Sequence, residues 1–203
     1  MSKIRIAVLG QSGVGKSTLI NTFIKKNNKE YEPTIEEIIN VQLNINKKKF
    51  TINILDTSGV ELFYGQRKLY FNESDAFILV YSVTDPKSLH FIINIYQNII
   101  LSHITNKNCA NRPILLIGMK NDLIKERKVS TNEGKVISSN LGIKFIETNK
   151  FDQFNVASAF INIINQNIYF KLFEETKFIQ INPLLKNKIK ICDRKNKRTC
   201  NIM

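Results

Sequence analysis

The sequence is poor in the residues that build disulfide frameworks and metal clusters. Its three cysteines, Cys109, Cys192 and Cys200, make an odd count without framework spacing. That excludes a disulfide-stapled scaffold and points to a reducing compartment. The two histidines, His90 and His103, have no metal-like companions, so neither is assigned chemistry. No apolar run reaches the length of a membrane span, and the stretch ahead of Gly10 is too short for a signal peptide. Any membrane contact is therefore expected to be peripheral. What is present, 43% apolar and 23% charged residues, suits a globular chain able to bury a real core.

The formal charge of +13 raises the question of nucleic acid, and its location bears on the answer. Residues 1–171 carry 22 basic and 14 acidic side chains, whereas residues 172–203 carry 8 and 3. Charge density is highest at the C-terminal end, which fits an electrostatic tail better than a basic groove. A nucleic-acid partner is not expected. Binding that is steeply salt-dependent and survives tail deletion would indicate one.

Apolar β-rich runs alternate with segments of helical period. Ile4–Gly10, Ala76–Val83 and Pro113–Met119 are nearly continuous apolar runs, as strands buried on both faces require. Ile38–Ile45 and Phe50–Leu55 alternate and read as a hairpin, and Ile143–Glu147 is a sixth short strand. Helices are predicted over Lys16–Lys25, over Lys87–Leu101 behind Pro86, over Thr131–Leu141 with Gly142 as its stop, and over Val156–Phe173. This order implies an α/β fold with a six-stranded, mostly parallel sheet and helices on both faces. The predicted domain spans 1–173, and 174–203 reads as a flexible basic tail.

Gly10-Gln-Ser-Gly-Val-Gly-Lys16-Ser17 fits G-x-x-x-x-G-K-S between the first strand and the first helix. Glycines let backbone N–H groups turn inward around phosphates, and the helix N-terminus adds favourable dipole charge. Lys16 can bridge the outer phosphates, and Ser17 can place its hydroxyl on Mg²⁺. The pattern specifies a nucleoside triphosphate without choosing the base. A carboxylate ending a buried strand opposite this loop, Asp56, suits a hard cation. Asp122 follows another strand on the same sheet edge, where its two oxygens can pair with the N1–H and exocyclic amine of guanine, groups that adenine lacks.

With these motifs in place, residues 3–170 resemble the G domain of the Ras family. Tyr31-Glu-Pro-Thr34-Ile-Glu36 resembles the family's first switch, and Leu55-Asp56-Thr-Ser-Gly59 the D-T-A-G opening the second. Lys120-Asn-Asp122 matches most of N-K-x-D, and Glu147-Thr148 begins a degraded E-T-S-A-K. The resemblance implies that Ser17, Thr34 and Asp56 hold Mg²⁺, Asp56 through water. It also implies that Lys16, Thr34 and the Gly59 N–H serve the γ-phosphate. The implied nucleotide contacts are Gly10, Ser12, Gly13, Val14, Gly15, Lys16, Ser17, Thr18, Thr34, Gly59, Lys120, Asp122, Asn149 and Lys150. Effector proteins are expected to read Tyr31, Glu32, Pro33, Thr34, Ile35, Glu36, Glu37, Ile38 and Ile39. An exchange factor and a GTPase-activating protein are further implied partners of what the resemblance makes a monomeric GTP/GDP switch.

Five departures from the family pattern bear on function. Val60 occupies the position of the glutamine that orients the attacking water, and valine has no hydrogen-bonding group for that task. Ser12 replaces a glycine whose bareness leaves room at the transition state. Both point to slow hydrolysis. Met119 stands in place of the asparagine of N-K-x-D, and Asn149-Lys150-Phe151 in place of S-A-K. No aromatic residue lies between Lys25 and Tyr31, where the family stacks a phenylalanine on the base. Weaker, faster-exchanging nucleotide is expected. The alternatives are a scaffold that holds GTP without cycling and a nucleotide-free relative.

The last four residues, Cys200-Asn201-Ile202-Met203, fit C-a-a-X with a terminal Met that favours farnesylation. One prenyl chain binds membranes marginally, so a second signal is needed. Lys186, Lys188, Lys190, Arg194, Lys195, Lys197 and Arg198 can supply it at about 1 kcal/mol per charge near anionic lipid. Cys192 is a candidate for an added acyl chain. The expected location is the cytoplasmic face of a membrane, the plasma membrane in the first instance.

Overall fold

A computed structural model describes residues 2–25, 36–45, 48–57, 70–105 and 112–181. The order is β1 (Ser2–Leu9), α1 (Lys16–Phe23), β2 (Glu36–Ile45), β3 (Lys48–Thr57), β4 (Ala76–Ser82), α2 (Pro86–Thr105), β5 (Ile114–Met119), α3 (Thr131–Leu141), β6 (Lys144–Glu147) and α4 (Gln153–Ile181). A 3-10 turn, Ile124–Glu126, lies between β5 and α3.

The six strands form one sheet in the order β2-β3-β1-β4-β5-β6. Only the β2–β3 hairpin is antiparallel. Every residue of β4 and β5 is buried, which accounts for their unbroken apolar sequence. The hairpin strand β3 instead alternates in burial along its length, as expected of a strand wetted on one face. Ala7, Leu9, Phe77, Leu79 and Tyr81 join Leu89, Ile92, Ile95 and Ile99 of α2 in one core layer. The alternate strand residues Ile6, Val8, Ile78 and Val80 are fully buried toward the opposite side. There α1 and α4 meet through the stacked rings of Phe23 and Phe160, 4.1 Å apart. Leu115 shares a hollow with Ala159 and Ile163 on that side. The sheet is thus covered on both faces.

Strand order reverses between β1 and β4, so the crevice for a ligand opens at the C-terminal ends of the parallel strands. The C-terminal end of β3 and the loops after β1, β5 and β6 lie along that edge.

Helix bounds depart from the sequence reading: α1 ends at Phe23 rather than Lys25, and α4 begins at Gln153 rather than Val156. The helix behind Pro86 runs on to Thr105 rather than stopping at Leu101. The last helix runs to Ile181, beyond the expected end at Phe173. Its stretch Leu172–Ile181 contains neither glycine nor proline, and Pro183 disfavours helical backbone only at the residue before it. Thinning of the apolar period was therefore a poor stop signal. Contacts divide the chain into two units after Asn167, and the second begins at Ile168. Among the described residues no helix is long and apolar enough to cross a membrane.

Candidate functional site

The phosphate loop leaves β1 at Leu9 and enters α1 at Lys16. Gly10 passes so close to β4 that a Cβ there would lie 2.1 Å from the Val80 carbonyl oxygen, so no other residue fits. Gly15 precedes the helix with φ 108°, a left-handed conformation that turns the loop back onto α1. Val14 anchors the loop, almost wholly buried. Ser12 and Gly13 are exposed, while Ser17 and Thr18 are partly so.

Lys16 is buried and crosses the loop. Its ammonium donates to the carbonyls of Gly10 at 3.0 Å and Gln11 at 2.9 Å. Burial lowers its pKa from the usual lysine value to about 8, and the nearby Asp56 carboxylate acts in the opposite direction. A cation so poorly solvated gains strongly from the arrival of phosphate oxygens.

Asp56 is placed by β3. It pairs in register with Val8 of β1, and the neighbouring Thr57 hydroxyl donates to the Val8 carbonyl at 2.8 Å. The pin holds a carboxylate that is 2% exposed level with the start of the phosphate loop. Asp56 and Ser17 present only oxygen donors, which fits a hard divalent cation whose remaining ligands come from phosphate and water. Among the described residues no group of three His, Cys, Asp or Glu side chains forms a metal cluster. A magnesium nucleotide needs none.

The loop after β5 supplies the other half of the site. Met119 is buried, and its side chain packs where a Cβ on Gly15 would stand, 3.4 Å from the thioether methyl. The thioether thus fills the space beneath the phosphate loop at the position of the family's asparagine. Lys120 adopts a left-handed φ of 68°, which turns the chain so that Asp122 emerges exposed at the sheet edge. The Asn121 N–H donates to the Thr148 carbonyl at 3.3 Å, and the Asn149 amide donates to Asn121 Oδ1 at 2.7 Å. The Thr22 hydroxyl of α1 reaches the Lys150 carbonyl at 3.4 Å. Loop 148–150 is therefore tied both to the loop bearing Asp122 and to the helix that begins at the phosphate loop.

The structure thus brings together Gly10, Ser12, Gly13, Val14, Gly15, Lys16, Ser17, Thr18, Asp56, Lys120, Asp122, Asn149 and Lys150 along one sheet edge. Glu36, Glu37, Ile38 and Ile39 lie on the edge strand β2, with Ile38 60% exposed. Tyr31, Glu32, Pro33, Thr34 and Ile35, together with Gly59, Val60, Cys192 and Cys200, lie outside the described residues. His90 Nδ1 sits 2.9 Å from the Pro86 carbonyl within α2, a local helix contact.

Sequence reasoning missed Thr22, Asn121, Thr57 and the pair Arg127–Glu147. Arg127 donates to both carboxylate oxygens of Glu147 at 3.0 and 2.9 Å, and the Thr131 hydroxyl adds a third bond at 3.1 Å. No local pattern announces these partners, because each contact spans from 16 to 128 residues of chain.

A glycine-bearing phosphate loop, a buried strand-end carboxylate and a second carboxylate beyond a neighbouring strand define a P-loop nucleotide-binding protein of the α/β class. The Ras family model matches residues 5–169. The chain is also 34% identical over 165 residues to the GTP-binding protein drn-1 of Caenorhabditis elegans, an alignment covering 80% of this chain and 74% of that one. The chain belongs to the Ras family and is a small GTPase, since Ras-family small GTPases hydrolyse GTP.

Proposed function

We propose that this GTPase is a lipid-anchored signalling switch that hydrolyses GTP slowly and so dwells in its GTP-bound form. The observation that supports the reading is a phosphate loop and strand-end carboxylate held in register, in a chain whose sequence has lost the groups that assist hydrolysis. Lys16 is buried across the loop and Asp56 is pinned level with it. Ser12 and Val60, by contrast, replace a bare glycine and a water-orienting glutamine.

In this reading Lys16 neutralises the outer phosphates, and the loop N–H groups from Gly13 to Thr18 wrap them. Ser17, Asp56 and Thr34 hold Mg²⁺, which when bound neutralises charge developing on the phosphates. Thr34 and the Gly59 N–H respond to the γ-phosphate, so the segments around them differ between GTP and GDP forms. Effectors then read residues 31–39, with exposed Ile38 as an apolar contact on the edge strand. Farnesylated Cys200 and the lysine-rich segment before it hold the protein on the anionic cytoplasmic leaflet of a membrane. Cys192 is the site for a second acyl chain.

The test is the nucleotide released from freshly purified protein in Mg²⁺ buffer, followed for hours by chromatography. GTP that persists supports the reading, and S12G/V60Q should then shorten its single-turnover lifetime at least about tenfold. Bound GDP in the unsubstituted protein would show that neither residue sets the slow step. For the anchor, Cys200→Ser should release the protein from membranes into the soluble fraction. Retention would exclude prenylation as the dominant attachment.

A further inference from the structure

A guanine base is recognised in two ways. Its edge takes hydrogen bonds, and its faces need flat apolar cover. Asp122 can serve the edge, and Met119 lies beneath the neighbouring Gly15. A stacking partner for an open face is absent from the sequence between Lys25 and Tyr31, which runs Lys26-Asn27-Asn28-Lys29-Glu30.

An aromatic ring stands on the opposite loop. Phe151 is 73% exposed. Its backbone is held firmly. The Phe151 N–H donates to Asn149 Oδ1 at 2.8 Å, and the Gln153 N–H returns to the Phe151 carbonyl at 3.1 Å. Asn149 in turn donates to Asn121, beside Asp122, and the Lys150 carbonyl accepts from Thr22 of α1. The ring therefore projects from a loop braced between the guanine-edge carboxylate and the helix of the phosphate loop. The Lys150 ammonium lies 5.0 Å from the ring centroid over one face, which leaves the second face for a planar partner.

We infer that Phe151 is the base-stacking residue of this GTPase, in place of an aromatic on the far side of the pocket. The inference rests on the nucleotide-binding reading above and deepens it. Stacking by a fixed, solvent-exposed ring gives affinity without base selectivity, so Asp122 carries the choice of guanine and Phe151 the retention time. The same ring is uncovered when the site empties.

The experiment measures dissociation of a fluorescent GDP from the full chain in Mg²⁺ buffer, chased with excess GDP. Loss of one stacking ring corresponds to about 5- to 100-fold faster release for Phe151→Ala. Phe154, 80% exposed and three residues further on, is the control, and Phe154→Ala should release at the unsubstituted rate. Because the chain contains no tryptophan, Phe151→Trp introduces a sole reporter. Its emission should change on adding GDP and stay unchanged on adding tripolyphosphate, which fills the phosphate loop without a base. Phe151→Trp should also keep slow release. An unchanged release rate in Phe151→Ala, a silent tryptophan at saturating GDP, or an equal response to tripolyphosphate would each overturn the assignment. Failure of the unsubstituted chain to bind GDP would remove the site itself and the assignment with it, an outcome separate from normal binding with no role for the ring.

Discussion

The contact between Arg127 and Glu147 tests whether the two guanine-side loops act as one body. Arg127 follows the 3-10 turn after Asp122, and Glu147 ends β6 two residues before Asn149. The guanidinium makes two parallel bonds to the carboxylate and a third, at 3.0 Å, to the Val129 carbonyl. The side chains are 24% and 10% exposed, so this is neither a surface pair nor a wholly dry one. Bonding to Glu147 raises the Arg127 pKa above its already high value, which keeps the guanidinium charged.

Removing one partner of a buried pair costs roughly 3–5 kcal/mol, because the other charge is left desolvated. The solvent access of Arg127 reduces that toward about 2–3 kcal/mol for Arg127→Ala. For a domain of this length the melting temperature should fall by about 5–10 °C. Replacing both residues, as Arg127→Met with Glu147→Leu, should recover most of the loss, since no lone charge remains. The coupling energy from the full cycle should be on the order of 2 kcal/mol. Release of fluorescent GDP should quicken by about tenfold in Arg127→Ala, equivalent to about 1.4 kcal/mol of loop positioning. Urea denaturation of the four proteins of the cycle measures the first effect, and stopped-flow release measures the second. A cost under about 0.5 kcal/mol would class the pair with exposed ion pairs and refute the reasoning.

Two further expectations concern the same corner of the molecule. The Tyr81 hydroxyl is buried without a hydrogen-bond partner among the described residues, wedged where Cβ atoms on Gly118 and Gly134 would stand at 2.8 and 2.6 Å. Tyr81→Phe should therefore stabilise the fold by about 1–2 kcal/mol in urea, and a loss instead would mean that the hydroxyl is satisfied in solution. At the start of α3, Ser130 donates through its N–H and hydroxyl to Glu133, both at 2.7 Å, and these bonds hold the Glu133 carboxyl below its ordinary pKa. An acid lowered in this way adds stability above its unfolded pKa and loses it as pH falls through the folded value. The gap between unsubstituted protein and Glu133→Ala should thus be full at neutral pH and close as the solution is acidified through the lowered folded-state value. A gap independent of pH would show that the capping bonds do not depend on charge.

Much of the architecture was legible because it depends on local pattern. The apolar runs of β4 and β5 are buried on both faces and leave no choice of element. The hairpin announced itself by alternation, and the phosphate loop by glycines that a close approach such as that of Gly10 to Val80 requires. Asp56 and Asp122 were legible from their positions beyond buried strands. What escaped was whatever depends on distant chain. Thr57 pins Asp56 through Val8, 49 residues away, and Asn121 meets Asn149 across 28. The length of α4 escaped for a different reason. A fading apolar period marks the end of a core face, whereas the helix itself stops only near Pro183.

These long-range contacts give the departures from the family pattern a common physical sense. Around the phosphates the chain keeps its charged and oxygen donors, and Lys16 and Asp56 are both buried there. On the base side the loops are tied by contacts inside the protein. Met119 fills the space under Gly15, Asn149 binds Asn121, and Arg127 grips Glu147. Each of these contacts joins protein groups, which on the proposed reading lowers the cost of ordering the loops on binding. The same economy means that nucleotide release need not melt the loops. On the inference made for Phe151, face-on cover of the base then adds to the loop positioning supplied by Arg127 and Glu147 in setting residence time.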